Sequence, residues 1–245
     1  MRISHSLLDP YLSPPIKALY RRFPIPRAVP PEAIVGLAHL CAIVAAAGFA
    51  LSTQFWWAGL LIAFGVAANH IADCLDGTHA RATDQCRNGG ELLDHFTDPL
   101  SFSYYLVGLA WSCGRLDLGL AAVIVLYATA VLTNIKAKMI GEFSLSAFGP
   151  TEFKALLVVY GLVLAGLVAS GTPAFVPELV ALWFLTALIV IGIVQLAVNL
   201  VRSVREVNRH GTQADTTEWI TTGATPRPSP AMRAATPDEL TRTAI

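Results

Sequence analysis

Apolar residues along this chain fall into runs long enough to cross a bilayer, and polar positions gather between the runs. A hydrocarbon core of ~30 Å needs roughly 20 residues of helix, and only helices or closed barrels satisfy every backbone group there. Six runs meet that length: Ala33 to Leu51, Phe55 to Asp76, Leu92 to Cys113, Leu116 to Ile135, Phe153 to Ser170 and Val176 to Val201. None shows the alternation of a membrane β-strand, so the pattern predicts an all-α bundle of six transmembrane helices. Ahead of them, Ile16, Leu19, Tyr20 and Phe23 share a helical stripe from which Lys17, Arg21 and Arg22 are absent. That pattern predicts a juxtamembrane amphipathic helix lying in the interface. After Arg209 the chain turns to Thr, Ala and Pro, which predicts a disordered tail. The expected organisation is an N-terminal cytoplasmic and interfacial segment over 1–32, the six-helix domain over 33–210 and the tail over 211–245.

Composition agrees with this layout: 54% of the 245 residues are hydrophobic, 14% are charged, and the formal net charge is zero. A neutral balance without a basic patch sets nucleic acid aside. Cys41, Cys74, Cys86 and Cys113 lack paired spacing and read as free thiols. The first thirty-odd residues are polar, Pro-rich and basic, unlike a cleavable signal peptide. Of 17 Lys and Arg, only Arg115 falls in the connections on one side of a six-span layout. The positive-inside tendency then puts both termini, and the face carrying the other cations, in the cytoplasm.

Ionisable residues within spans are costly and mark function, and the second and third spans meet the cytoplasmic face with an unusual set. Asn69, Asp73 and Asp76 stand at i, i+4 and i+7 on one helix; Glu91, Asp94, His95 and Asp98 stand at i, i+3, i+4 and i+7 on the next. Each set forms one stripe, and the two can face each other across a short connection. Four carboxylates at one place repel unless they are protonated or neutralised by cations. Two divalent ions would supply the charge, and all-oxygen ligation favours Mg²⁺, Mn²⁺ or Ca²⁺ over zinc. Such a pair can clamp the attacking and leaving oxygens of a phosphoryl displacement. Gly77 would let the chain leave the helix sharply, Arg81 offers a planar fork to phosphate, and Gly90 allows a nucleotide close to the backbone. Each has a plainer reading: Gly77 as a helix cap, Arg81 as a topology marker, His95 as a packed polar group. It is the joint spacing of four aspartates that outweighs these.

The run D-x-x-D-G-x-x-A-R, eight residues, then G-x-x-x-D-x-x-x-D, from Asp73 to Asp98, resembles the signature of the CDP-alcohol phosphatidyltransferase family. The resemblance implies an integral membrane enzyme in which Asp73, Asp76, Asp94 and Asp98 bind two Mg²⁺ or Mn²⁺ ions. Asp98 would also serve as general base on the acceptor hydroxyl, and Asp76, Gly77, Ala80, Arg81 and Gly90 would line the CDP site. It further implies release of CMP and, commonly, a homodimer.

Gly90-Glu91-Leu92-Leu93-Asp94-His95 is similar to a run in choline and ethanolamine phosphotransferases, which join a CDP-linked head group to diacylglycerol; there Glu91 and His95 would take part in proton transfer. Gly149-Pro150-Thr151-Glu152 also resembles a stretch of that branch. Thr133 to Lys138 is instead similar to a run of compact relatives that move a phosphatidyl group from CDP-diacylglycerol to glycerol phosphate, serine or inositol phosphate. For a phosphorylated acceptor the available cations are Lys136, Lys138, Lys154, Arg202 and Arg205, which also read as topology markers. The balance favours the head-group branch. A cation carrier or a non-catalytic scaffold are the readings of another class.

Overall fold

A computed structural model describes residues 2–4, 6–145, 148–172 and 176–212. The tail expected from Gly211 onward lies, from residue 213, outside the described residues. Among the described residues seven helices carry the fold: α1 (Asp9–Arg22), α2 (Pro31–Leu51), α3 (Trp56–Ala82), α4 (Asn88–Ser112), α5 (Leu116–Ile140), α6 (Pro150–Ser170) and α7 (Pro177–His210). A short parallel pairing of β1 (Arg2–Ser4) with β2 (Phe143–Leu145) accompanies them.

The predicted all-α membrane bundle is what forms. Five helices, α2, α3, α5, α6 and α7, are long and apolar enough to cross a membrane. The remaining long helix, α4, has 25 residues, about 37 Å of helix, but its first half is acidic and only its second half is apolar and buried. The juxtamembrane helix begins earlier than its apolar stripe indicated, at Asp9, because Pro10 suits a helix start and the Ser6 hydroxyl accepts from the Asp9 N–H at 2.9 Å.

α3 is the centre, packing against α2 on one side and α6 on another, with α1 across its C-terminal part. Water drives little of this association inside a bilayer, so close contact of backbones does the work, and small residues permit it. Gly161 of α6 lies against α3 so tightly that a Cβ there would stand 2.7 Å from the Gly59 carbonyl oxygen. Around the contact, Phe49, Ile62, Leu109, Leu157 and Leu164 are fully buried, and the Tyr160 ring stacks on Phe184 of α7 at 4.1 Å. By contrast α5 buries only Gly119 and Ala122, and α7 only Ala181, Leu185 and Ser203. These two helices lie at the edge of the bundle and leave space between themselves and α4. α5 ends at Gly141, whose φ of 79° is left-handed and suits glycine.

Two expectations about the connection between the acidic helices are corrected. Gly77 does not end its helix: α3 runs on through it to Ala82 and is capped at Thr83. Gly90 does not precede the next helix but sits in the first turn of α4, which starts at Asn88. In both places side chains of the helix, not backbone bends, set the geometry. The four cysteines are free, as their spacing indicated.

Candidate active site

The C-terminal part of α3, the N-terminal half of α4 and the start of α6 bring polar side chains together at one place. One carboxylate oxygen from each of Asp73, Asp76 and Asp94 can be chosen so that all lie within 4.8 Å of one another. Neighbouring ligands of an octahedral Mg²⁺ stand about 3 Å apart and opposite ones about 4.2 Å, so these side chains would move inward to close on an ion. The oxygens surround a void of about 10 Å³, also bordered by Asn69, Thr97 and Asp98, which is space for a single small species. Asn69 fixes its orientation by donating from Nδ2 to the Ala38 carbonyl at 2.9 Å, and its buried Oδ1 has no hydrogen-bond partner among the described residues. Val35, Ala38 and His39 also border the void, and a hard divalent cation fits its carboxylate oxygens and the unpaired Asn69 oxygen.

Asp98 is the fourth carboxylate and has a different position. It borders the small void and also a much larger cavity of about 530 Å³ enclosed by α4, α5, the start of α6 and α7. His95 lines the large cavity, and its Nε2 is 3.8 Å from Glu91 Oε1 one turn earlier. Asp98 is therefore the aspartate shared by both spaces.

Lys154, by sequence a cation available to an acceptor phosphate, has another place in the structure. It is 1% exposed, and its Nζ donates to Asp73 Oδ2 at 2.7 Å and to Asp98 Oδ1 at 3.4 Å. Its ammonium thus bridges the two acidic helices from α6, 5.4 Å above the Phe102 ring. Lys136 of α5 also has a partner, Glu206 Oε2 of α7 at 2.7 Å. Arg202 lines the large cavity near that pair, whereas Lys138 and Arg205 are exposed and outside its lining. The five cations are not brought to one point.

Gly77 and Arg81 act together. The Arg81 guanidinium folds back over Gly77, where an added Cβ would stand 3.2 Å from Nη1. Glycine leaves room for that fork one turn before it, beside the Asp76 carboxylate, which accepts from the Gly77 N–H. Ala80 is half-buried on the same turn. Gly90 faces Glu32 at the start of α2, which also pairs with Arg87 at 3.5 Å.

Two supports escaped the sequence reading. His79, inside the motif, is fully buried; its Nε2 meets the Val29 carbonyl at 2.8 Å and its Nδ1 the Tyr20 hydroxyl at 2.8 Å. A carbonyl only accepts, so Nε2 carries a proton, and the two contacts of the ring tie α1 and the following linker to the acidic end of α3. Glu152 accepts from the Gly149 N–H at 2.9 Å, the Ser6 hydroxyl at 2.5 Å, and the Leu7 and Leu8 N–H groups at 2.7 and 3.0 Å. It caps α6 and anchors the chain ahead of α1. A histidine at an unspecified motif position and a glutamate after Gly-Pro gave a weak hint of both.

Fold and site together define a multi-pass membrane protein with a carboxylate cluster, suited to a divalent cation, at one end of its helical bundle. A family model described as CDP-alcohol phosphatidyltransferase matches residues 29–194, about two thirds of the chain. The chain belongs to that family, whose members are phosphotransferases. It is also similar to cholinephosphotransferase 1 of Gallus gallus, at 33% identity over 120 residues, covering 46% of this chain and 34% of that protein. The chain thus spans about a third of the length of this curated relative.

Proposed function

We propose that this protein transfers a substituted phosphate group from a CDP-linked head-group donor, of the CDP-choline or CDP-ethanolamine kind, to the hydroxyl of diacylglycerol, releasing CMP. The observation that carries the reading is the position of Asp98, bordering both the metal-sized void and the large cavity. A group that takes a proton from an acceptor hydroxyl must touch the acceptor's space and the phosphate's space together. The likeness to cholinephosphotransferase 1 supports the head-group branch.

Asp73, Asp76, Asp94 and Asp98 hold two divalent ions, Mg²⁺ or Mn²⁺, in this reading. When bound, these ions neutralise the carboxylates and the donor pyrophosphate and so stabilise the charge that develops on the leaving CMP. Arg81 binds donor phosphate through its fork, with Gly77, Ala80 and Gly90 leaving space for the nucleotide. In the reaction the acceptor oxygen forms a bond to the head-group phosphorus and the bond from that phosphorus to the bridging oxygen breaks. CMP departs with the bridging oxygen and its electron pair, and the hydroxyl proton passes to Asp98. His95, one turn before Asp98, and Glu91, two turns before it, carry that proton onward. The catalytic domain is 33–210, and the grouping of basic residues supports a cytoplasmic site with cytoplasmic termini.

The test is CMP release by the purified protein with Mg²⁺ or Mn²⁺, using CDP-choline or CDP-ethanolamine plus diacylglycerol against CDP-diacylglycerol plus small alcohols. Release with the first pair alone supports the proposal. Release with the second alone moves the protein to the phosphatidyl-transferring branch, and release with neither, beyond an Asp98→Asn control, returns it to a carrier or scaffold.

A further inference from the structure

The small void bordered by the four aspartates also has walls without carboxylates, and Asn69 stands in one of them, a turn before Asp73 on the same stripe of α3. Asn69 is 2% exposed, and its Nδ2 donates to the Ala38 carbonyl of α2 at 2.9 Å. A carbonyl only accepts, so this bond fixes which end of the amide is nitrogen and which is oxygen. The oxygen is buried and has no hydrogen-bond partner among the described residues. Hydroxyls that border the void are engaged elsewhere: Thr97 Oγ1 donates to the Asp94 carbonyl at 3.2 Å, and Ser101 Oγ pairs with His39 Nδ1 at 3.2 Å.

We propose that Asn69 is a further ligand of the divalent cation, adding a neutral amide oxygen to the carboxylates of Asp73, Asp76 and Asp94, and that it sets the affinity of the site before any donor arrives. The inference rests on the reading of this cluster as a metal centre. A residue needed only to tie α3 to α2 would use its nitrogen alone, and a buried carbonyl oxygen left unpaired is destabilising. The void, at about 10 Å³, holds one small species. Water there would satisfy the oxygen but leave the carboxylates repelling one another, whereas a divalent cation answers both. Amide oxygens are ordinary ligands of hard cations, and a neutral one fills a coordination position without adding to that repulsion.

The experiment titrates Mn²⁺ alone into the purified full chain in nanodiscs, without donor or acceptor, and reads free Mn²⁺ by its electron paramagnetic resonance signal. The unaltered protein is compared with Asn69→Leu and Asn69→Asp. Both substitutions remove the nitrogen that donates to Ala38, but only Asn69→Asp keeps an oxygen at the void. The dissociation constant of the tighter site is expected to rise about tenfold or more in Asn69→Leu, and to stay within about threefold of the unaltered value, or fall, in Asn69→Asp. An unchanged constant in Asn69→Leu overturns the proposal and makes water the species beside Asn69. Equal weakening in both variants overturns it too, since the tie to Ala38 would then be what the site needs. Should Asn69→Leu fail to fold, Asn69→Val removes the oxygen in a smaller side chain and is read in the same way. Because no turnover is involved, absent CMP release with the expected Mn²⁺ pattern refutes the transferase reading alone. CMP release with an unchanged constant in Asn69→Leu refutes the role of Asn69 alone.

Discussion

Replacing Lys154 by Met keeps an apolar stem of similar length and removes a charge that joins Asp73 to Asp98. The Lys154 Nζ lies 2.7 and 3.4 Å from the two carboxylates. At an effective dielectric of ~20 the Coulomb attractions are about 6 and about 5 kcal/mol, offset by several kcal/mol of desolvation for each ion. What decides the outcome is the state left behind: two largely buried carboxylates without their cation, for which a loss of about 3–5 kcal/mol is typical. For a chain of this size that lowers the melting temperature by about 6–20 °C. Divalent ions restore positive charge to the same carboxylates and bind only the folded site, so they stabilise the variant by linkage. Melting in detergent is therefore compared for both proteins in EDTA and in saturating Mg²⁺. The expected result is a large gap in EDTA that shrinks to less than half in Mg²⁺. A variant that melts within about 2 °C of wild type in EDTA would refute the account of Lys154 as the cation of the metal-free site. A gap of the same size in both conditions would limit Lys154 to packing against Phe102.

The other predictions concern chemistry and anchoring. Asp98→Asn is expected to lower turnover by about 10²–10⁴-fold while largely sparing CDP-choline binding, read by single-turnover kinetics against equilibrium binding; full retained activity removes Asp98 from the mechanism. In Asp94→Ala, metal dependence and nucleotide affinity should fall together, and an unaltered Mg²⁺ titration would argue against one shared site. Glu152→Ala removes the acceptor of four hydrogen bonds and should cost roughly 2–4 kcal/mol, with faster tryptic cleavage at Lys17, Arg21 and Arg22 as the N-terminal segment detaches. Unchanged cleavage would mean that the Tyr20 to His79 contact alone holds α1.

Much of this protein is legible in one dimension because the bilayer allows few solutions. A helix in hydrocarbon must satisfy its own backbone, so run length and apolarity alone located α2, α3, α5, α6 and α7. The acidic stripes were equally readable, since helical spacing puts Asp73 beside Asp76, and Asp94 beside Asp98, whatever surrounds them. Residue identity at those positions carries the cation chemistry, and it needs no tertiary information to be recognised.

Local sequence was a poor guide wherever a residue's role depends on a neighbour from another helix. Gly77 looked like a helix exit because glycine favours one, yet α3 continues through it and the missing side chain accommodates Arg81. Lys154 and Lys136 looked alike as cations near span ends. Packing turned the first into a buried bridge between two aspartates and the second into the partner of Glu206. Glu152 and His79 became anchors for a segment more than fifty residues away in the chain. The sequence by itself determined the helices, their membrane setting and the four carboxylates, because these follow from backbone satisfaction and helical periodicity within single segments. Only the tertiary structure decided which cations are spent on internal pairs, and that Asp98 alone among the four borders both spaces, because pairing energies depend on distances of a few ångströms that spacing along the chain does not encode.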